Sequence, residues 1–185
     1  MKTSNYAYAI NALNKGDIIA TPTEAVYGLS VDPENLNAVE KLLNLKQRDP
    51  QKGFIIVASD ISQLEPYIQP LKPEILQKLA ATWPGPVTWI VPAKPDLSPL
   101  IRGEHDTIAV RVTAHPVLAE ICEDYEGALI STSANIEGEE PARSIEAVEE
   151  IFGHKVAIVV QGALGREQKP TIIKDALSDE VLRPG

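Results

Sequence analysis

Apolar and polar positions along this chain of 185 residues follow two rhythms, a helical one and an alternating one, and their succession predicts an α/β domain. Tyr6, Ile10 and Leu13 recur at helical spacing in "NYAYAINALNK", with Ser4 or Asn5 to cap the start and Gly16 to end it. "DIIAT" reads as a strand stopped by Pro22, and "PTEAVYG" as a polar loop hanging Thr23, Glu24 and Tyr27 off the strand's end. After a turn at Asp32 and Pro33, Leu36, Val39, Leu42 and Leu43 mark the buried face of a second helix that delivers Lys46 at its C-terminus. "GFIIVAS" predicts a buried strand and "DISQLEPYI" a short helix cut or bent by Pro66. "KPEILQKLAATW" predicts a longer helix opened by Pro73, with Ile75, Leu76 and Leu79 inward. In "WPGPVTWIVPA" a rigid turn precedes a strand, and Trp83 reads as packing rather than a stacking platform.

The proline-rich stretch from Lys94 to Asp106 has the polarity of an exposed, mobile lid. "TIAVRVT" alternates strictly, which puts Arg111 mid-strand; that face is either solvated or supplies a carboxylate or phosphate partner. "HPVLAEICEDY" is a helix opened by Pro116 and closed by Gly127, and "ALISTS" is a strand, read as parallel, that dissolves into Ser131, Thr132 and Ser133. Ser144 caps "IEAVEEIFG", "KVAIVVQG" is another buried strand, and "TIIKDAL" and "EVLRPG" form a hairpin turning at Ser178 and Asp179. The expected architecture is one domain over residues 1–185, a twisted mixed sheet with flanking helices.

Charge sharpens this picture at one place. The formal net charge is −9, yet "LKQRDPQKG" carries Lys46, Arg48 and Lys52 against Asp49 alone, so that this segment is +2 and the remainder −11. The cluster is either a solvated turn or an anion site on a loop at a sheet edge, and Lys46 has a further structural reason as a cation at a helix C-terminus. Cys122 is the only cysteine, which excludes an intramolecular disulfide or a thiolate zinc site; acidic neighbours would raise its pKa, and it reads as core packing. His105, His115 and His154 are scattered, so no protein-built metal centre is expected. Without a signal sequence or an apolar run of about 20 residues, a cytoplasmic chain is expected, with no membrane association.

Neither GxxxxGKS/T nor GxGxxG is present, so a nucleotide would be held by side chains and scattered backbone donors. Three polar loops offer them: Thr23 and Glu24; Lys46, Arg48 and Lys52; and Ser131 to Asn135. In order along the chain, "PTEAVYGL", "KQR" with Lys52, "WPGPVT", "AVRV" before His115 and Pro116, "STSAN" and "LRPG" together resemble the YrdC-like threonylcarbamoyl-AMP synthases, in their short single-domain form. The resemblance implies a concave, positively charged cleft and an enzyme that makes threonylcarbamoyl-adenylate and pyrophosphate from L-threonine, bicarbonate and Mg²⁺-associated ATP. Its product would feed N6-threonylcarbamoyladenosine at position 37 of ANN-decoding tRNAs through downstream transfer proteins, with direct tRNA contact left open. It also implies catalytic roles for Lys46, Arg48, Ser133 and Asn135, and ATP contacts from Arg48, Lys52, Thr107, Ser133, Arg143 and Arg183. Threonine contacts would come from Thr23, Arg111, Ser131 and Thr171. Val57 stands where some members have a threonine-contacting histidine, and the chain stops at Gly185, without the extra domain of longer members. The alternatives are an RNA-binding module without catalysis, or a carbamoyl-adenylate-forming domain like that of hydrogenase maturation; the latter's zinc-finger modules are excluded here by the single cysteine.

Overall fold

A computed structural model of the chain describes residues 1–167 and 171–184. Its first half contains β1 (Lys2–Thr3), α1 (Tyr6–Asn14), β2 (Ile19–Pro22), β3 (Tyr27–Val31), α2 (Leu36–Lys46), β4 (Ile55–Ala58), α3 (Pro73–Ala80) and β5 (Val87–Pro92). Then come α4 (Pro99–Arg102), β6 (Thr107–Val112), α5 (Pro116–Asp124), β7 (Leu129–Ser133), α6 (Ile145–Phe152), β8 (Ile158–Val160), β9 (Ile172–Asp175) and β10 (Val181–Arg183). The helices start where short polar side chains satisfy free backbone N–H groups: Asn5 accepts from Ala7, Asn35 from Ala38, and Ser144 from Ala147.

Ten strands form one mixed sheet in the order β1-β8-β2-β3-β7-β4-β6-β5-β9-β10. β4 runs parallel to β6 and β5 parallel to β9, whereas β3, β7 and β4 are successively antiparallel. One face of the sheet, with Leu29, Ile56, Val110 and Ile130, packs into the larger core beneath α2, α3 and α6. On the other face, Ile19, Val57, Leu129 and Ile158 are sealed by Leu13 of α1 and by Leu118, Ile121 and Cys122 of α5. Each such fully buried Leu or Ile contributes about 1.5–3 kcal/mol. Farther along the same face the strand residues become small or polar: Gly28, Ser131 and Ala109 take the places of large aliphatics and leave open space.

Several expectations are corrected. The stretch after Pro22 is not one long loop, because Tyr27, Leu29 and Val31 form β3, which pairs back on β2 through a tight turn closed by Thr23 N donating to Val26 O. β7 is antiparallel to both neighbours rather than parallel. Leu36 and Leu76 are 42% and 39% exposed, and the inward faces of their helices are carried by Val39 and Leu42 in α2 and by Leu79 in α3. The basic loop feeds β4, well inside the sheet rather than at its edge. The stretch from Lys94 to Asp106 is no free lid: Leu97 and Ile101 are buried in the larger core, and Ile101 O accepts from Phe54 N at 2.8 Å. Cys122 packs as expected, but burial rather than its acidic neighbours pushes its thiol up to about 12.

Close backbone approach between that stretch and the basic loop depends on Gly103, at φ +70°, whose missing Cβ would run into Gln51 O. Gly103→Ala is therefore expected to cost roughly 1–3 kcal/mol in denaturant unfolding. Gly138→Ala, at φ +87° but with nothing within 4 Å, should cost less in the same measurement.

Candidate active site

The open part of the sheet face is the floor of a cavity of about 410 Å³. β3 supplies Gly28, β7 Ser131, β4 Ile55 and β6 Ala109 to it. One wall is the basic loop from Arg48 to Phe54, and the turn at Thr23 to Val26 and the polar end of β7 form the next. Thr171, Ile173 and Arg183 close the third side from the C-terminal hairpin.

The cations of the basic loop differ in their surroundings. Lys46 is only 2% exposed, and its ammonium donates to Ser133 O (2.5 Å), Asn135 O (2.8 Å) and Asn135 Oδ1 (3.2 Å). Burial, aided by the Arg48 charge, lowers its pKa to about 8. Asn135 is fixed in turn: its Oδ1 also accepts from Ser133 Oγ at 2.6 Å, and its Nδ2 donates to Ile136 O and Glu139 O. Arg48 donates twice to Gly53 O and lies over the Phe54 ring, 5.3 Å from its centre. Lys52, with a side chain 54% exposed, reaches Glu137 Oε1 at 2.7 Å.

Arg111 is 5% exposed, and its burial removes the solvated-face reading. Its Nη2 lies 3.2 Å from Glu24 Oε2, and its Nη1 donates to Thr171 Oγ1 at 3.0 Å. Glu24 Oε1 accepts from Thr113 Oγ1 at 2.6 Å, and Arg183 donates to Thr171 O at 2.7 Å. Burial disfavours the Arg111 charge and the Glu24 carboxylate offsets that cost. Nearby, burial also lowers the His115 pKa, and Nε2 donates to Ala163 O. Among the described residues, Arg111 Nε, His115 Nδ1, Thr21 Oγ1 and Ser30 Oγ are buried without a hydrogen-bond partner, and of these residues Arg111 lines the cavity.

Thr23, Arg48, Lys52, Arg111, Ser131, Ser133, Thr171 and Arg183, all expected from the sequence, line the cavity together. Lys46 and Asn135 stand behind the wall and hold it. Thr107 opens β6 opposite Pro92 and does not line the cavity; nor does Arg143, which donates to Ala25 O at 3.1 Å. Val57 is fully buried under α5, on the covered part of the face. Two acids had been missed in these roles: Glu24 as the partner of Arg111, and Glu137 as the partner of Lys52. The first was open to inference, since a buried mid-strand arginine demands an anion and Glu24 lay among the polar groups already singled out. Among the described residues, no group of three or more His, Cys, Asp and Glu side chains is placed to hold a metal ion, and Glu24 and Glu137 are both engaged by cations. Nor, among those residues, is any helix long and apolar enough to cross a membrane.

The family model for Sua5, YciO and YrdC, described as "Telomere recombination", matches residues 11–185. The chain belongs to the Sua5/YciO/YrdC family. A member from Coxiella burnetii, named threonylcarbamoyl-AMP synthase, is 47% identical over 175 residues, covering 95% of this chain and 94% of its own. One from Photobacterium profundum with the same name is 44% identical over 183 residues, covering 98% and 99%. The structure of P. abyssi Sua5 complexed with L-threonine superposes with a TM-score of 0.90 at 31% identity; the match covers 97% of this chain and 54% of the Sua5 chain, so this family member spans about half of that relative.

Lys46→Met strips three oxygens of their donor and is expected to cost about 3 kcal/mol or more in denaturant unfolding. The pH dependence has a definite sign. The folded chain releases the Lys46 proton near 8 and the unfolded chain near 10.5, so the unfolded state binds more protons in that window. Wild-type stability should therefore gain on the variant as pH rises from 8 to 10.5, as read from unfolding midpoints across that range.

Proposed function

We propose that this chain is a threonylcarbamoyl-AMP synthase, a nucleotidyltransferase that turns L-threonine, bicarbonate and ATP into threonylcarbamoyl-adenylate and pyrophosphate. The observation that carries this reading is the meeting in one cavity of Arg48 and Lys52 with Arg111, Ser131, Ser133, Thr171 and Arg183, drawn from four separate stretches of the chain. The names of the relatives support it, as does the L-threonine in the P. abyssi Sua5 complex.

In this reading the threonine nitrogen joins bicarbonate carbon with loss of water, giving a carbamate. A carbamate oxygen then attacks the α-phosphorus of ATP, and the bond to the bridging oxygen of the β-phosphate breaks as pyrophosphate leaves. Negative charge gathers on phosphate oxygens, where Arg48 and Lys52 would receive it, with Ser133 and Arg183, which line the same cavity, completing the ATP contacts. Mg²⁺ would arrive on the phosphates of ATP and screen their charge there. Thr23, Ser131, Thr171 and Arg111 would bind threonine. Glu24 and Thr171 each engage one Arg111 Nη atom, and Arg111 would bring its charge and its remaining N–H donors to the threonine carboxylate while orienting Thr171. Lys46 and Asn135 would serve by fixing Ser133.

The product would serve N6-threonylcarbamoyladenosine formation at position 37 of ANN-decoding tRNAs in the cytoplasm, passing to transfer proteins downstream. A net charge of −9 gives a polyanion little long-range attraction, which favours this small-molecule reading over an RNA-binding module. Incubation with ATP, Mg²⁺, bicarbonate and individual amino acids, following pyrophosphate, tests it. Release should depend on both threonine and bicarbonate, and Arg48→Ala and Lys52→Ala should each lower kcat/KM at least tenfold, about 1.4 kcal/mol of transition-state stabilisation. Unchanged turnover in both variants would remove the basic loop from catalysis. Salt-sensitive tRNA binding without any pyrophosphate would favour the RNA-binding module.

A further inference from the structure

Glu137 lies in the polar loop after β7, and its carboxylate closes over the basic wall. Its Oε1 accepts from Lys52 Nζ at 2.7 Å and stands 3.9 Å from Arg48 Nη1, while its Oε2 accepts from Asp49 N at 3.0 Å. The loop itself is tied down by Glu137 N donating to Lys46 O at 2.9 Å. An ammonium, a guanidinium and a backbone N–H thus converge on one anionic group, which is the donor set expected around a phosphate. Lys52 and Arg48 both line the cavity, whereas Glu137 does not. With the Lys52 and Glu137 side chains 54% and 28% exposed, water and salt reach the pair, so it is weak enough to open.

We propose that Glu137 is a resident counter-anion of the phosphate site, holding Lys52 and Arg48 in the unliganded cavity and competing with pyrophosphate for them. The inference rests on the reading above that these two cations receive the phosphates of ATP. A triphosphate carries several negative charges and outcompetes a single carboxylate, which turns outward as the phosphates arrive. After the α-phosphorus bond breaks, the departing pyrophosphate is again in competition with a carboxylate tethered within a few ångströms. Glu137 is in this sense a specificity-determining residue: it weakens the hold of the basic loop on polyphosphate alone and favours release of the leaving group.

Glu137→Gln keeps the shape of the side chain and its acceptor for Asp49 N–H while removing the charge. Titration calorimetry with inorganic pyrophosphate at low salt, on wild type, Glu137→Gln, Glu137→Ala, Lys52→Ala and the Lys52→Ala/Glu137→Gln double variant, decides the matter. The expected result is at least fivefold tighter pyrophosphate binding in Glu137→Gln, with the gain abolished in the double variant and stronger product inhibition in turnover. Melting temperatures near that of wild type in either Glu137 variant establish that the comparison is between folded proteins. If both Glu137 variants bind pyrophosphate no tighter than wild type while Lys52→Ala binds it more weakly, the phosphate reading stands and Glu137 only fixes the loop, which overturns the inference. If Lys52→Ala binds as wild type does, the phosphate reading of Lys52 itself fails, and the counter-anion falls with it.

Discussion

One buried ammonium group ties the rim of the cavity together. Lys46 ends α2, and its three N–H bonds reach oxygens of Ser133 and Asn135, so a helix on one face of the sheet grips the end of a central strand. An ammonium has three donors and no acceptor, and here all three are spent on one turn. The consequence is positional: Ser133, the loop carrying Glu137, and the start of the basic loop are all bonded to the same residue. The cost of burying that charge appears in its lowered pKa, and the oxygens around it are what make the burial tolerable.

The second constraint is the division of one sheet face into two chemistries. Under α1 and α5 the strands carry Ile19, Val57 and Leu129, which behave as ordinary core. A few residues along the same face, β3, β7 and β6 carry Gly28, Ser131 and Ala109, too small to fill the space above them. Arg111 and Glu24 lie beside this division, with Thr113 on the carboxylate and Thr171 on the guanidinium. Removing either charge would leave the other buried and unpaired, a far larger penalty than the worth of a surface ion pair.

Much of this was readable from the sequence where the signals are local. Helices α1, α2, α3, α5 and α6 announce themselves by spacing and caps, and the hairpin of β9 and β10 by its turn residues. What was missed depends on distant parts of the chain. β3 was absorbed into a loop because a strand buried on both faces, with Gly28 and Ser30 between its aliphatics, shows no polar alternation to read. The proline-rich stretch looked mobile because composition does not reveal that Leu97 and Ile101 have a core to enter. Most of the site residues came through resemblance, which carries identity but not geometry: it grouped Lys46 with Arg48, although one is enclosed and the other faces the cavity. Glu137 had no local mark to separate it from Glu139 and Glu140, which remain exposed; only the approach of the basic loop selects it.

The C-terminal hairpin carries a consequence for synthesis. β9 pairs in parallel with β5, joining Val87 to Ile172 across nearly half the chain, and only then do Thr171 and Arg183 reach Arg111 and the cavity. The floor and the basic wall belong to segments a ribosome delivers earlier, so a nascent chain acquires a sheet before it acquires an enclosed pocket. Until the hairpin docks, Arg111 lacks Thr171 and one side of the cavity is open to water. Ligand enclosure is thereby tied to the last long-range pairing of the fold.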